Sequence, residues 1–413
     1  MENFYIIKKQ YIEDSIKTTP YTIFWVSLII YSIGYLSYSS RIITEKLCIF
    51  LIAFGILGVA YSLFFLIKPR ISNRYFRSIF IIYMISQLII LSQAFNEFTF
   101  TRFLLFITNP YIFFPYLIPI IILIPTNIFF LKRTFDYFAL LALLLLVTLL
   151  AFRNFMFNVN TNFSEHVLWT FGTGGGFILL TWNYHNNKRR MLAILVVLLS
   201  LLTSTILARR NIMLTFSNYI LFSIILLLFN SKQSITNKIF LILIVVSSFT
   251  GAYFLFNKYQ DVLFARITER IEQNTRDQIF TGFFSSMSTQ DLIYGKGFDG
   301  TYYAPTIEEN DNRSIIECGY LQTILKGGIV NLALFLLIAL PAAFLGIVKS
   351  NNTIAMAAGT IIILWLIDMF PWGMPALNIR YILVWICISI CYSKEIRNLS
   401  EAEIKYSLKL FSK

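Results

Sequence analysis

Histidine, cysteine and charge are all scarce in this chain, and each shortage removes a class of function. The two histidines, His166 and His185, stand apart from any cysteine cluster. The four-ligand nitrogen and sulfur set of a zinc site is therefore not expected, nor is any other metal or cofactor. Of the four cysteines, Cys48, Cys318, Cys387 and Cys391, only Cys318 falls in a long polar stretch, so there is no disulfide framework. No GxxxxGK[ST] loop and no dinucleotide glycine fingerprint after a strand occurs, which argues against an ATP-driven machine and a redox enzyme. Internal repeats and low-complexity segments are absent. The first apolar run begins at Tyr21, is long enough to span a bilayer and lacks a small-residue cleavage site, so no cleavable signal peptide is expected.

The shortage of charge is the most informative. Only 13% of residues are charged against 57% hydrophobic, with a mean hydropathy of +0.70, whereas soluble domains carry about 25% charge. A soluble chain of this length has nowhere to hide that apolar surface, so its solvent is lipid. The net charge of +13 sits in short loops between apolar runs. It reads first as topology and second as contact with anionic lipid, not as a nucleic-acid surface.

What is present is a series of twelve apolar runs of spanning length: Tyr21–Tyr38, Leu47–Ile67, Ser78–Phe95, Thr108–Leu131, Phe135–Phe152, Glu165–Trp182, Met191–Leu207, Ile212–Phe229, Lys238–Asn257, Ile329–Val348, Thr353–Phe370 and Leu377–Tyr392. They predict an all-α integral membrane protein, one polytopic domain over residues 1–413. The fourth run holds Pro110, Pro115, Pro119 and Pro125 and is expected to kink or break. The sixth holds Gly172, Gly174, Gly175 and Gly176, which permits close packing, the favoured reading, or local unwinding. With the N-terminus inside, the inner segments hold twenty of the thirty-four basic residues, so both termini are expected to be cytoplasmic.

One long polar segment, Lys258–Gly328, interrupts this pattern and then faces outward. From Lys258 to Glu317 it has six basic and ten acidic residues, as an outer loop should. Short helices are expected at Val262–Gln273 and Ile279–Met287. The loop carries Arg266, Arg270, Arg276 and Arg313, the turn Gly295-Lys296-Gly297, and Glu317-Cys318-Gly319-Tyr320 leading to Leu325-Lys326-Gly327-Gly328.

Several outer residues have two readings. Arg209 and Arg210 lie at the outer boundary, where a basic pair is out of place; they hold a ligand or snorkel to lipid phosphates. Arg266, Arg270 and Arg276 bind an anion or belong to a solvated helix with Glu269, Glu272 and Asp277. Arg380 binds substrate or pairs with Asp368. Glu317 is a general base or hydroxyl-orienting carboxylate, or simply a carboxylate at a helix N-terminus. Together with Tyr320 and Lys326 these make a metal-free, arginine-rich site beside a large apolar body. Arginine binds diphosphate in bidentate fashion and keeps its charge, so such a site suits a diphosphate on a long lipid tail.

At this point the chain resembles the O-antigen polymerase and ligase family. The resemblance rests on Thr203-Ser204-Thr205 with Ala208-Arg209-Arg210, on Asn274-Thr275-Arg276, on Leu292-Ile293-Tyr294-Gly295-Lys296-Gly297-Phe298, and on Glu317-Cys318-Gly319-Tyr320-Leu321 with Leu325-Lys326-Gly327-Gly328-Ile329. It implies a glycosyltransferase of the bacterial cytoplasmic (inner) membrane. Such an enzyme polymerises undecaprenyl-diphosphate-linked repeat units into O-antigen (lipopolysaccharide) or capsule, with a chain-length regulator as a partner. By that resemblance Glu317, Arg210 and Arg276 are catalytic, and Arg209, Arg266, Arg313, Tyr320, Lys326 and Arg380 bind substrate. Ligases of the family usually have a histidine in the closing segment where this chain has Glu317, which favours polymerase over ligase. A polysaccharide flippase is the non-enzymatic alternative; it would want charges along its spans and no large outer loop.

Overall fold

A computed structural model describes residues 18–68, 71–96, 98–158, 162–229, 276–304 and 312–410. The expected ninth span, the expected helix Val262–Gln273, Arg266 and Arg270 lie outside them. The described residues are mostly helical, with one two-stranded ribbon among them pairing Tyr302–Tyr303 with Asn312–Arg313. Among the described residues, seven helices are long and apolar enough to cross a membrane, including Thr18–Ser40, Glu45–Leu66, Ile128–Ala151 and Gly319–Val348. Thr353–Asp368 and Ile379–Tyr392 are shorter and apolar. The chain is a multi-pass α-helical membrane protein. In lipid every backbone polar group must be satisfied within the protein, which a helix does largely by itself. Large apolar side chains such as Phe50, Phe54, Leu57 and Phe64 accordingly point outward from Glu45–Leu66. Asparagine marks several helix starts: Asn73, Asn186, Asn352 and Asn378 each accept a hydrogen bond from the N–H three residues on, the usual N-cap arrangement.

The chain divides into two compact units. The first comprises residues 1–140, 289–301 and 314–413. Its helices Arg74–Ser92 and Thr353–Asp368 run towards one end, and Gly319–Val348 and Ile379–Tyr392 run away from it. At the opposite end Asn352 Nδ2 donates to the Ile396 carbonyl at 2.7 Å, and Lys68 N–H donates to Leu123 at 2.9 Å. The proline-rich fourth run is not one helix. A helix Phe100–Thr108 ends before Pro110, and two 3-10 turns, Phe114–Tyr116 and Ile118–Leu123, carry Pro115 and Pro119. A regular helix resumes only at Ile128, beyond Pro125. Proline lacks the N–H and clashes with the preceding turn, so the segment breaks.

The Gly319–Val348 helix is also broken. Gly328 has φ 68° and ψ −178°, a region that only glycine enters readily. The break removes the helical N–H donors that the Leu325 and Lys326 carbonyls would otherwise meet. Two replacements come from the glycine turn: Lys296 N–H donates to Leu325 at 2.8 Å and Gly297 N–H to Lys326 at 3.1 Å. The approach is backbone on backbone. A Cβ on Gly295 would stand 2.5 Å from Gly327 N, and one on Gly328 would overlap the Ile293 carbonyl. Gly297 in turn abuts Gln93, whose Oε1 accepts from Phe298 N–H at 2.9 Å.

The second unit comprises residues 141–288 and 302–313. Its helix Thr173–Leu180, entered through a π turn at Leu168–Gly172, packs against Asn187–Ile206 and Arg210–Phe229. The glycines serve this packing. A Cβ on Gly172 would meet the Phe216 ring at 2.6 Å, one on Gly175 the Val196 side chain at 2.5 Å, and one on Gly176 the Tyr219 ring. Nearer its end, helix Arg276–Ser285 buries Phe283 beside Tyr302, with ring centroids 6.2 Å apart.

Gly328→Ala should destabilise the protein by about 1–3 kcal/mol from its backbone conformation alone, and by more through the overlap with Ile293. Thermal unfolding of the purified variant in detergent checks this. A wild-type midpoint would mean that the break is not as described.

Candidate functional site

The glycine turn and the helix break together hold Lys326. Its side chain is 7% exposed and lies within the bundle. Its ammonium donates to the Phe298 and Gly300 carbonyls, both at 2.9 Å. An ammonium has three donors, so one is left over, and no carboxylate among the described residues reaches ion-pair distance. A buried cation in that position favours an oxygen-bearing ligand.

Lys326 stands between two adjoining cavities in the first unit. The outer one is about 150 Å³ and is lined by Arg102, Phe106, Phe298, Asp299, Ser314 and Ile315, among others. The inner one is about 40 Å³ and is lined by Tyr83, Gln87, Asn331, Phe335, Trp365 and Tyr381, among others. Tyr111, Tyr116, Gln322 and Lys326 line both. Arg102 holds Asp299 through one nitrogen, at 3.0 and 2.8 Å to the two carboxylate oxygens. Its guanidinium lies 5.7 Å from the ring centres of Phe106 and Phe298, close enough for cation–π attraction. Gln322 fixes the closing segment: its Oε1 accepts from Ile316 N–H at 2.9 Å, and its Nε2 donates to Ser314 at 3.4 Å.

Of the described residues expected from the sequence to act in catalysis or substrate binding, Lys326 alone lines these cavities. Tyr320 and Arg380 stand behind the wall. The Tyr320 hydroxyl donates to the Leu366 carbonyl at 2.8 Å. Arg380 is buried, paired with Asp368, and lies over Trp365 at 5.5 Å, so the pairing alternative is the one the structure adopts. Glu317 is exposed on the closing segment, one residue before the helix N-cap Cys318, and lines neither cavity.

The other arginines belong to the second unit. Arg209 pairs with Glu165 at 3.1 Å and donates to Asn162 at 3.3 Å. Ala208 before it has φ 52°, so the chain turns sharply there, and Arg210 opens the next helix with its side chain exposed. Arg276 opens its helix, and Arg313 is half-buried in the ribbon.

The sequence reading missed Arg102, Asp299, Gln87, Gln322, Asn331 and the tyrosines. Arg102 had a usable signal: like Arg209, it is a cation in a short segment expected to face outward. Asp299 and the amides gave none, since a single polar residue, whether in an apolar run or in the long polar segment, names no partner. The chain matches no family model, no curated protein and no solved structure.

Lys326→Met strands the Phe298 and Gly300 carbonyls and should lower stability by about 1–3 kcal/mol for each group left unpaired. Chemical or thermal unfolding in detergent measures it. An unchanged stability would show that neither bond is made.

Proposed function

We propose that this protein is a glycosyltransferase of the cytoplasmic membrane that polymerises polyprenyl-diphosphate-linked oligosaccharide units into O-antigen or capsular polysaccharide. The observation that carries the reading is the double cavity. It is lined by hydroxyls, amides and two cations, and it opens at one end of an otherwise apolar bundle. Sugars need such a polar lining, and the lipid tail of the substrate needs the apolar exterior.

The charge distribution supports an outward-facing cavity. The end of the first unit away from the cavity carries Lys68, Arg74, Lys349, Lys394 and Arg397, as a cytoplasmic face does. The motif resemblance supplies the roles. Arg276, with Arg210 or Arg209, holds the diphosphate of the donor. Glu317 takes the proton of the acceptor hydroxyl. That oxygen attacks the anomeric carbon, the bond to the diphosphate breaks, and configuration inverts. The diphosphate leaves with its negative charge stabilised by guanidinium groups. A flippase is less well supported, because the buried pair Arg380–Asp368 is already mutually satisfied.

Deleting the gene in its host should abolish the long glycan ladder and leave chains bearing a single repeat unit. Restoring it with Arg210→Ala or Arg276→Ala should insert protein normally and make no polymer. Normal chain lengths from both variants would overturn the assignment. An acceptor left with no repeat at all, with polymer accumulating on the polyprenyl carrier, would indicate a ligase.

A further inference from the structure

The inner cavity is lined by an amide pair that no other described residue fully satisfies. Gln87 lies five residues before the end of Arg74–Ser92, about 7.5 Å along the helix, and Asn331 lies three residues beyond the Gly328 break. They are 3% and 5% exposed. Asn331 Oδ1 accepts from Gln87 Nε2 at 2.6 Å and from Ser86 Oγ at 3.1 Å. That leaves Asn331 Nδ2, with two donors, and Gln87 Oε1, an acceptor, without a protein partner among the described residues. Neither atom is sealed off; both are open to the cavity their residues line.

A donor and an acceptor side by side match the hydroxyls of a polyol, each of which both gives and takes a hydrogen bond. A lipid tail in this place would strand both amides at a cost. An anionic group, which only accepts, could meet Lys326 and Asn331 Nδ2 but would leave the Gln87 Oε1 acceptor without a donor. Trp365, Phe335 and Tyr381 add ring surface suited to the apolar face of a sugar. The inner volume of about 40 Å³ admits only a few water-sized groups. A ring must therefore sit mainly in the outer cavity and dip one edge inward.

We propose that Gln87 and Asn331 form a specificity subsite that reads hydroxyls on one edge of a neutral sugar ring held across the two cavities. This rests on the glycosyltransferase reading and names the part of the substrate that these residues distinguish.

The test uses the full-length protein in nanodiscs and saturation-transfer NMR with neutral methyl glycosides: glucoside, galactoside, mannoside and N-acetylglucosaminide. Methyl glucuronide and farnesyl phosphate serve as the charged and lipid comparisons. At least one neutral glycoside should receive saturation. Asn331→Asp keeps the acceptor for Ser86 and Gln87 and loses the two donors, so in protein that still unfolds cooperatively it should weaken that glycoside about tenfold, the worth of one good hydrogen bond. Gln87→Leu should weaken it comparably. Saturation of farnesyl phosphate alone, no signal from any neutral glycoside, or wild-type affinity in both variants would overturn the subsite. If the gene deletion leaves the ladder intact while glycoside binding remains sensitive to Asn331→Asp, the subsite stands and the polymerase reading falls.

Discussion

Two backbone hydrogen bonds, from Lys296 and Gly297 to the carbonyls of Leu325 and Lys326, hold together the part of the first unit that lines the two cavities. A helix broken inside an apolar bundle exposes carbonyls that lipid cannot satisfy. Here the break at Gly328 is tolerated because a second segment supplies the missing donors. The same segment, a few residues on, supplies the Phe298 and Gly300 carbonyls that hold the Lys326 ammonium. Backbone satisfaction and placement of a buried cation are thus one structural solution. Glycine at 295, 297 and 328 is required by positive φ, and also by close backbone neighbours at 295 and 328 and by the Gln93 side chain at 297.

The electrostatic consequence is asymmetric. Among the described residues the other buried charges, Arg380 and Asp368, are paired side chain to side chain. Such pairs offset desolvation but leave little free to bind a ligand. Lys326 is held by neutral carbonyls instead, which orient it without cancelling its charge. It therefore stays attractive to a polar guest, and the tyrosines and amides around it extend that preference into the bundle.

Much of the membrane architecture was legible in the sequence because spanning helices are selected by length and apolarity, both local properties. The run Leu47–Ile67 became the helix Glu45–Leu66, and Thr353–Phe370 became Thr353–Asp368. The prolines marked the break in the fourth run, since their effect is also local. The expected tenth span from Ile329 is the part of Gly319–Val348 beyond the break at Gly328, and the turns before the break were hidden because polar Gln322 and Lys326 lie in a helix that packs inside protein. Both glycine motifs were visible, but not that they pair with each other: hydropathy reports burial and never names the partner. The Arg102–Asp299 pair, 197 residues apart, and the Gln87–Asn331 pair, 244 apart, were illegible for the same reason. Arg380 and Asp368 were recognisable as a pair only because twelve residues place them at neighbouring helix ends.

The most direct test is an electron-microscopy structure of the protein in a nanodisc with a polyprenyl-diphosphate-linked oligosaccharide. The account predicts sugar density across the two cavities, within hydrogen-bond reach of Lys326, with the Gly295–Gly297 turn still bonded to the broken helix. Sugar density elsewhere, with the cavities empty and Lys326 contacting nothing but its two carbonyls, would contradict it.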